Sequence, residues 1–145
     1  MLSGRRFKFL EHRADVYIEA YGESLEEAFE NAALATFETM TDTSKVVPMV
    51  EETVEAEGFD EESLLYNWLE ALLVRFEMTE NLYSRFKIAP IQHMGKGLRL
   101  EAKVYGEKFN PGRHQSKVGV KAVTYHRMEI EKKPDKVTVK FILDI

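Results

Sequence analysis

The sequence predicts an α+β fold in one domain spanning residues 1–145, with two helices packed on a largely antiparallel sheet system. Three observations lead there. Apolar residues recur at helical spacing in two segments, from Leu25 to Met40 and from Leu64 to Phe76. Most of the remainder reads as short alternating strands, clustered towards the C-terminal end instead of interleaved with helices, which argues against a repeating βαβ sheet. The chain is also long enough to bury a core without disulfides or a structural metal.

The elements follow in order. "RRFKFLE" and "DVYIEAYG" alternate apolar and polar residues, with Phe7 and Phe9 against Val16, Ile18 and Ala20, and could form a hairpin. Ser24 with Glu27 three residues later has the form of a capping box, and Leu25, Ala28, Phe29, Ala32, Ala33, Phe37 and Met40 continue it as the first helix. "MTDTSKVVP" ends that helix, because Asp42 and Ser44 suit a turn and Pro48 cannot continue one. Residues 49–57 resemble an exposed strand. "GFDEES" leads into the second helix, whose Leu64, Leu65, Trp68, Leu69, Leu72, Leu73 and Phe76 form a stripe wide enough to face a core. Four further strand candidates follow, "SRFKIAPIQH", "LRLEAKVYGE", "VKAVTYHRMEI" and "DKVTVKFILDI", with turns or loops at "MGKG" and "NPGRH". No internal repeat, low-complexity tract or linker is evident.

Composition narrows the chemistry. The absence of cysteine removes thiolate catalysis, zinc-thiolate sites and iron–sulfur clusters. No apolar run suits a signal peptide or a membrane span, so the expectation is a cytoplasmic protein without membrane partners. The net charge of −5 is unevenly spread: residues 1–84 hold 19 acids against 6 Lys/Arg, and residues 85–145 hold 14 Lys/Arg against 6 acids. The basic half reads first as a solvated sheet face, since its lysines alternate with apolar residues. A surface for RNA or for an acidic protein patch is the other reading.

No P-loop, dinucleotide fingerprint, GxSxG elbow or HExxH motif is present, so nothing announces an enzyme. Three stretches are nonetheless too polar for their setting. "EHRAD" puts His12 and Asp15 at a strand junction, "HQSKVGVKAVTYHRMEI" threads Lys121, Tyr125 and His126 through a strand, and "FILDI" ends the sequence on Asp144 and Ile145.

Six motifs together resemble the archease family: "HRAD" at 12–15, "SLEEAFENAA" at 24–33, "MTD" at 40–42, "GEKFNPGRH" at 106–114, "VKAVTYH" at 120–126 and the final "LDI". They span nearly the whole chain in order. Two departures are visible, Arg13 where the family more often has Thr and Leu143 where Phe usually precedes the acid. The resemblance implies an accessory protein, not a catalyst. Archeases assist the tRNA-splicing RNA ligase, promote its guanylylation and repeated turnover, and broaden its nucleotide choice; RNA would be met through the ligase. It also implies a divalent metal, Ca²⁺ first with Mg²⁺ or Mn²⁺ as alternatives, held by Asp15, Asp144 and the terminal carboxylate of Ile145. His12, His114, Lys121, Tyr125 and His126 are then candidates for a ligase-contacting or functional surface.

The strand pattern fits this implication. In "VTVKFILDI" the positions Val137, Val139, Phe141, Leu143 and Ile145 share one face, so burial of Ile145 would pin the chain end with Asp144 on the other. Three carboxylates in one place repel one another unless a hard cation sits among them. Two roles for the metal stay open: docking with Lys121, Tyr125 and His126 at the ligase's nucleotide site, or only ordering the chain end. Two other function classes stay open as well, a metal-dependent hydrolase and a chaperone-like or RNA-binding module.

Overall fold

The computed structural model describes residues 5–10 and 15–145. Along the chain run β1 (Phe7–Leu10), β2 (Asp15–Gly22), α1 (Leu25–Met40), a 3-10 turn (Thr43–Lys45), β3 (Val50–Gly58), α2 (Glu61–Thr79), β4 (Asn81–Ile88), β5 (Gln92–Met94), β6 (Gly97–Lys108), β7 (Ala122–Lys133) and β8 (Lys136–Asp144). The predicted class holds: two helices and antiparallel strands. The strands form two sheets, one in the order β1-β2-β8-β7 and one in the order β3-β6-β4 with β5 also on β6. The segment "SRFKIAPIQH" is split between β4 and β5, because Pro90 lacks the N–H a ladder needs.

Each helix touches both sheets. α1 lies against β2 and β8 of the first sheet and β4 of the second, while α2 lies against β3 and β6 of the second and β7 of the first. A helix between two sheets must be apolar nearly all round. Accordingly α1 buries Ala28, Phe29, Ala32, Ala33, Ala35 and Phe37, and its alanines let the strands come close. Buried Thr36 and Thr39 donate their hydroxyls back to the carbonyls of Ala32 and Ala35, both at 2.9 Å. Between the helices, the Trp68 indole N–H donates to the Phe29 carbonyl at 3.0 Å. Phe37 meets Tyr83 edge-on at 5.4 Å.

The helix starts are set locally. Ser24 Oγ accepts the Glu27 N–H at 3.1 Å, and the Glu27 carboxylate accepts from Glu23 N at 2.7 Å, one residue before the predicted partner. At α2 the box is complete, with Asp60 accepting the Ser63 N–H and Ser63 Oγ accepting the Asp60 N–H.

The structure also shows an internal repeat, contrary to the sequence expectation. The unit β2–α1 recurs as β3–α2 at an offset of 36 residues, which carries Glu19, Ala20, Gly22 and Asn31 onto Glu55, Ala56, Gly58 and Asn67. The caps Ser24 and Asp60 correspond. Asn31 Nδ2 donates to the Tyr21 carbonyl at 2.6 Å, and Asn67 Nδ2 donates to the Glu57 carbonyl at 2.7 Å. Both glycines let the helix start press on the strand: a Cβ on Gly22 would lie 2.3 Å from Ala28 N, and one on Gly58 would lie 2.4 Å from Leu64 N. β8 and β6 are then equivalent centre strands, and β7 and β4 equivalent third strands reached by the other half's helix.

Candidate functional site

β8 is a centre strand, so its inward residues are committed to the core. Val137, Val139, Phe141 and Leu143 are buried, as their spacing predicts. The next residue, Asp144, therefore turns outward and is exposed. Ile145 is only partly buried, not the fully buried anchor expected from its spacing, because β8 ends at Asp144 and no ladder extends past it.

The register decides what surrounds Asp144. In the β2–β8 pairing Asp15 is its Cα partner, and on the other side Ala122 of β7 is opposite it. Side chains directly opposite in such a pair have Cβ atoms about 4.5–5.5 Å apart. Two carboxylates thus share one end of one sheet. The Lys121 N–H donates to the Asp144 carbonyl at 2.7 Å, which ties the strand's end to the incoming loop.

Beside Asp15 lies an open cavity of about 310 Å³, bordered by Phe9, Tyr17, Glu38, Lys117 and Val118. The loop before β7 is fixed here to the last turn of α1. Lys117 donates its main-chain N–H to the Met40 carbonyl at 2.9 Å, and its ammonium pairs with the Glu38 carboxylate at 2.8 Å. A cation at a helix C-terminus is favourably placed. Burial pushes the Glu38 carboxyl up, but hydrogen bonds from Lys117 and Thr43 more than offset it and hold the group below its ordinary value. Nothing local in the sequence announces this pair.

His114 is not at the surface. Its side chain is fully buried, its Nδ1 accepts the Asn110 N–H at 2.8 Å, and its Nε2 donates to Glu107 Oε2 at 2.8 Å. With Nδ1 accepting, Nε2 carries the proton. Glu107 also accepts the Val47 N–H at 2.8 Å and pairs with Arg113. Both ring nitrogens are used inside the protein, so His114 braces the loop and offers no atom to a partner.

Lys121, Tyr125 and His126 are exposed. The last two sit in an irregularity of β7: Thr124 is opposite Ile142 and Glu129 opposite Lys140, so residues 125–128 together face Phe141 alone. Arg127 takes up the excess in a left-handed conformation with φ 59°. Met128 turns inward, and Tyr125 stacks on Tyr66 of α2 at 4.4 Å. The structure therefore brings Asp15, Asp144, Ile145 and Lys121 to one sheet end, with Tyr125 and His126 farther along β7. His12 lies outside the described residues.

Among the described residues, no group of three or more His, Cys, Asp or Glu side chains could hold a metal ion. No helix among the described residues is long and apolar enough to cross a membrane.

Known proteins resemble this chain along nearly its whole length. The Archease protein family (MTH1598/TM1083) matches residues 7–145. The protein archease of Sulfurisphaera tokodaii is 48% identical over 97% of this chain and 99% of its own length. That of Sulfolobus acidocaldarius is 48% identical over the same shares. The solution structure of Methanobacterium thermoautotrophicum protein 1598 superposes with a TM-score of 0.84 at 44% identity, covering 96% of this chain and 98% of that one. The crystal structure of a Thermotoga maritima archease, described as a possible chaperone, has the same fold with a TM-score of 0.58 at 21% identity, covering 95% and 96%. The match of nearly every residue from β1 to Ile145, at close to half identity and on the same fold, places this chain in the archease family.

Proposed function

We propose that this protein is a non-catalytic partner of the tRNA-splicing RNA ligase, promoting its guanylylation and repeated turnover and widening its nucleotide choice. The observation that carries the reading is the pairing of Asp15 with Asp144 at the sheet end where the chain finishes, in a protein that matches the archease family along its length. The residues of that end suit a hard divalent cation. Asp15, Asp144 and the Ile145 carboxylate are all oxygen donors, the type Ca²⁺ prefers, with Mg²⁺ or Mn²⁺ as alternatives. A bound cation supplies the positive charge that lets the three stand together.

The protein's own residues do the positioning. β2 and β8 hold the two aspartates opposite each other, and the Lys121 N–H fixes the Asp144 main chain. The Lys117–Glu38 pair holds the neighbouring loop against α1. Lys121, just before β7, and Tyr125 and His126 on β7 supply exposed donors and an aromatic ring beside that end. Action on the ligase then requires tighter binding to the state that accepts the nucleotide; a tenfold preference corresponds to about 1.4 kcal/mol.

The test is guanylylation and multiple-turnover ligation by purified ligase with and without this protein. Faster guanylylation and more product per ligase are expected with it. Equal rates and equal product overturn the reading.

A further inference from the structure

The internal repeat places β2 and β3 in equivalent settings, yet among the described elements only β2 has a neighbouring strand on its outer edge. β2 lies between β8 and β1, whereas β3 pairs with β6 alone, and among the described elements only α2 also touches it. On β2 the edge groups are identified by a bond: the Tyr21 N–H donates to the Arg6 carbonyl at 2.9 Å. The repeat carries Tyr21 onto Glu57, whose carbonyl is held by Asn67 just as Asn31 holds that of Tyr21. Main-chain groups in an antiparallel strand alternate sides. Thr53 and Glu55 therefore turn theirs to the open edge, as their equivalents Tyr17 and Glu19 turn theirs to β1.

The strand that fills the first edge has a definite chemistry. β1 and the residues before it read Arg5, Arg6, Phe7, Lys8, Phe9, and Lys8 Nζ lies 3.4 Å from Glu19. β3 offers the complement on its exposed face, with Glu51, Glu55 and Glu57. Glu51 and Glu55 also meet Lys103 and Arg99 of β6, as Glu19 meets Lys140 of β8 as well as Lys8. Glu52 is held by Arg75, Asn81 and Tyr83 and is not available. Large apolar side chains stand exposed at both of its ends, Met49 at 70% before it and Phe59 at 78% after it.

We propose that β3 is a docking edge for an extended, alternately basic and apolar segment of a partner protein, which adds antiparallel to β3 as β1 adds to β2. Main-chain bonds to Thr53 and Glu55 supply affinity, and the glutamates select basic residues. A second copy of this chain is the poorer occupant. Two β3 strands would set glutamates against each other, and a second copy's β1 is already paired with its own β2.

The test uses the full-length ¹⁵N-labelled protein and an end-blocked synthetic peptide, RRFKFL, the sequence of residues 5–10. Shifts are expected along β3, with amide exchange at Thr53 and Glu55 slowed by about tenfold at saturation, the protection expected of a newly formed hydrogen bond. A peptide with glutamate at each basic position should not bind. Thr53→Pro removes an edge donor and should weaken binding at least ~5-fold while leaving the β6 pairing; Glu55→Gln provides a milder variant with the same direction. The proposal is overturned by shifts confined to β2, which mean the peptide only replaces β1. It is equally overturned by no binding at millimolar peptide, by equal binding of the acidic peptide, or by self-association of the chain alone through β3. None of these outcomes depends on the ligase.

Discussion

Asp15 and Asp144 are Cα partners across the β2–β8 ladder, so the first residue of one strand lies directly opposite the last residue of the other. Like charges in that position destabilise a sheet. Asp144→Asn should therefore leave stability in chelator unchanged or slightly higher, and Asp15→Asn serves as the second variant for the cation's effect. Wild-type protein should be stabilised by Ca²⁺, by about 2.7 kcal/mol at a hundredfold excess over Kd, and each variant should lose that gain. Thermal unfolding with and without Ca²⁺ reads both effects. Equal stabilisation of all three proteins would place the cation elsewhere.

Extending the chain beyond Ile145 should weaken cation binding more than extending it before Met1. An extension converts a charged carboxylate into a neutral amide carbonyl, which still offers an oxygen but no charge. Calorimetric titration of the two tagged forms, with circular dichroism confirming that both fold, decides the point. Indistinguishable affinities remove Ile145 from the site.

The buried Glu107 ties part of the acid stability to its own network. Burial pushes its carboxyl up, but the Val47 N–H, His114 and Arg113 outweigh that and hold it below its ordinary value. A lowered carboxyl contributes stability that is fully present above its unfolded pKa, about 4.3, and is lost as pH falls through the folded pKa. Glu107→Gln should cost about 1–3 kcal/mol at pH 7. It should also lose less than wild type between neutral pH and pH below ~4. Urea midpoints across that range test it, and parallel curves for the two proteins would show that Glu107 contributes nothing to the acid limb.

The two glycines of the repeat should behave alike. Gly22→Ala and Gly58→Ala each force a methyl against the first turn of a helix, at a cost of about 1–3 kcal/mol or more. Asn31→Ala and Asn67→Ala each lose one bracket to a strand carbonyl, about 1 kcal/mol, with the more buried Asn31 costing more. Denaturant unfolding of the four variants provides the comparison. A large effect in one half and none in the other would mean that the repeat is geometric only.

What could be read from sequence follows from what is local. The period of Leu64 to Phe76, the cap at Ser24 and the burial of Val137, Val139, Phe141 and Leu143 each act within one element and appear in the structure, although Glu27 reaches Glu23 N instead of Ser24 N and Ile142 on the other face of β8 is buried too. The repeat was hidden because its helices solve different packing problems. α1 carries alanines where α2 carries Leu64, Trp68 and Leu69, leaving a few identities such as Gly22 with Gly58 and Asn31 with Asn67. The Glu107–His114 bond depends on how the loop turns back, and spacing cannot show that a histidine is buried. The bulge at residues 125–128 is equally silent, since Tyr125, His126 and Met128 read as an ordinary continuation of a strand. Asp15 and Asp144 lie far apart in sequence, and only the register of β2 on β8 joins them. Their pairing was anticipated through the family resemblance, with spacing contributing only the outward turn of Asp144.

The central claim is that the carboxylate end of this protein acts on the ligase. The most direct measurement is the number of ligation turnovers per ligase, at fixed Ca²⁺ or Mg²⁺, with wild-type protein, Asp15→Asn and Asp144→Asn, all shown to be folded. The account predicts stimulation by wild type and loss of most of it in both variants. Full stimulation by both variants contradicts the account, because the ligase would then be responding to some other surface of the molecule.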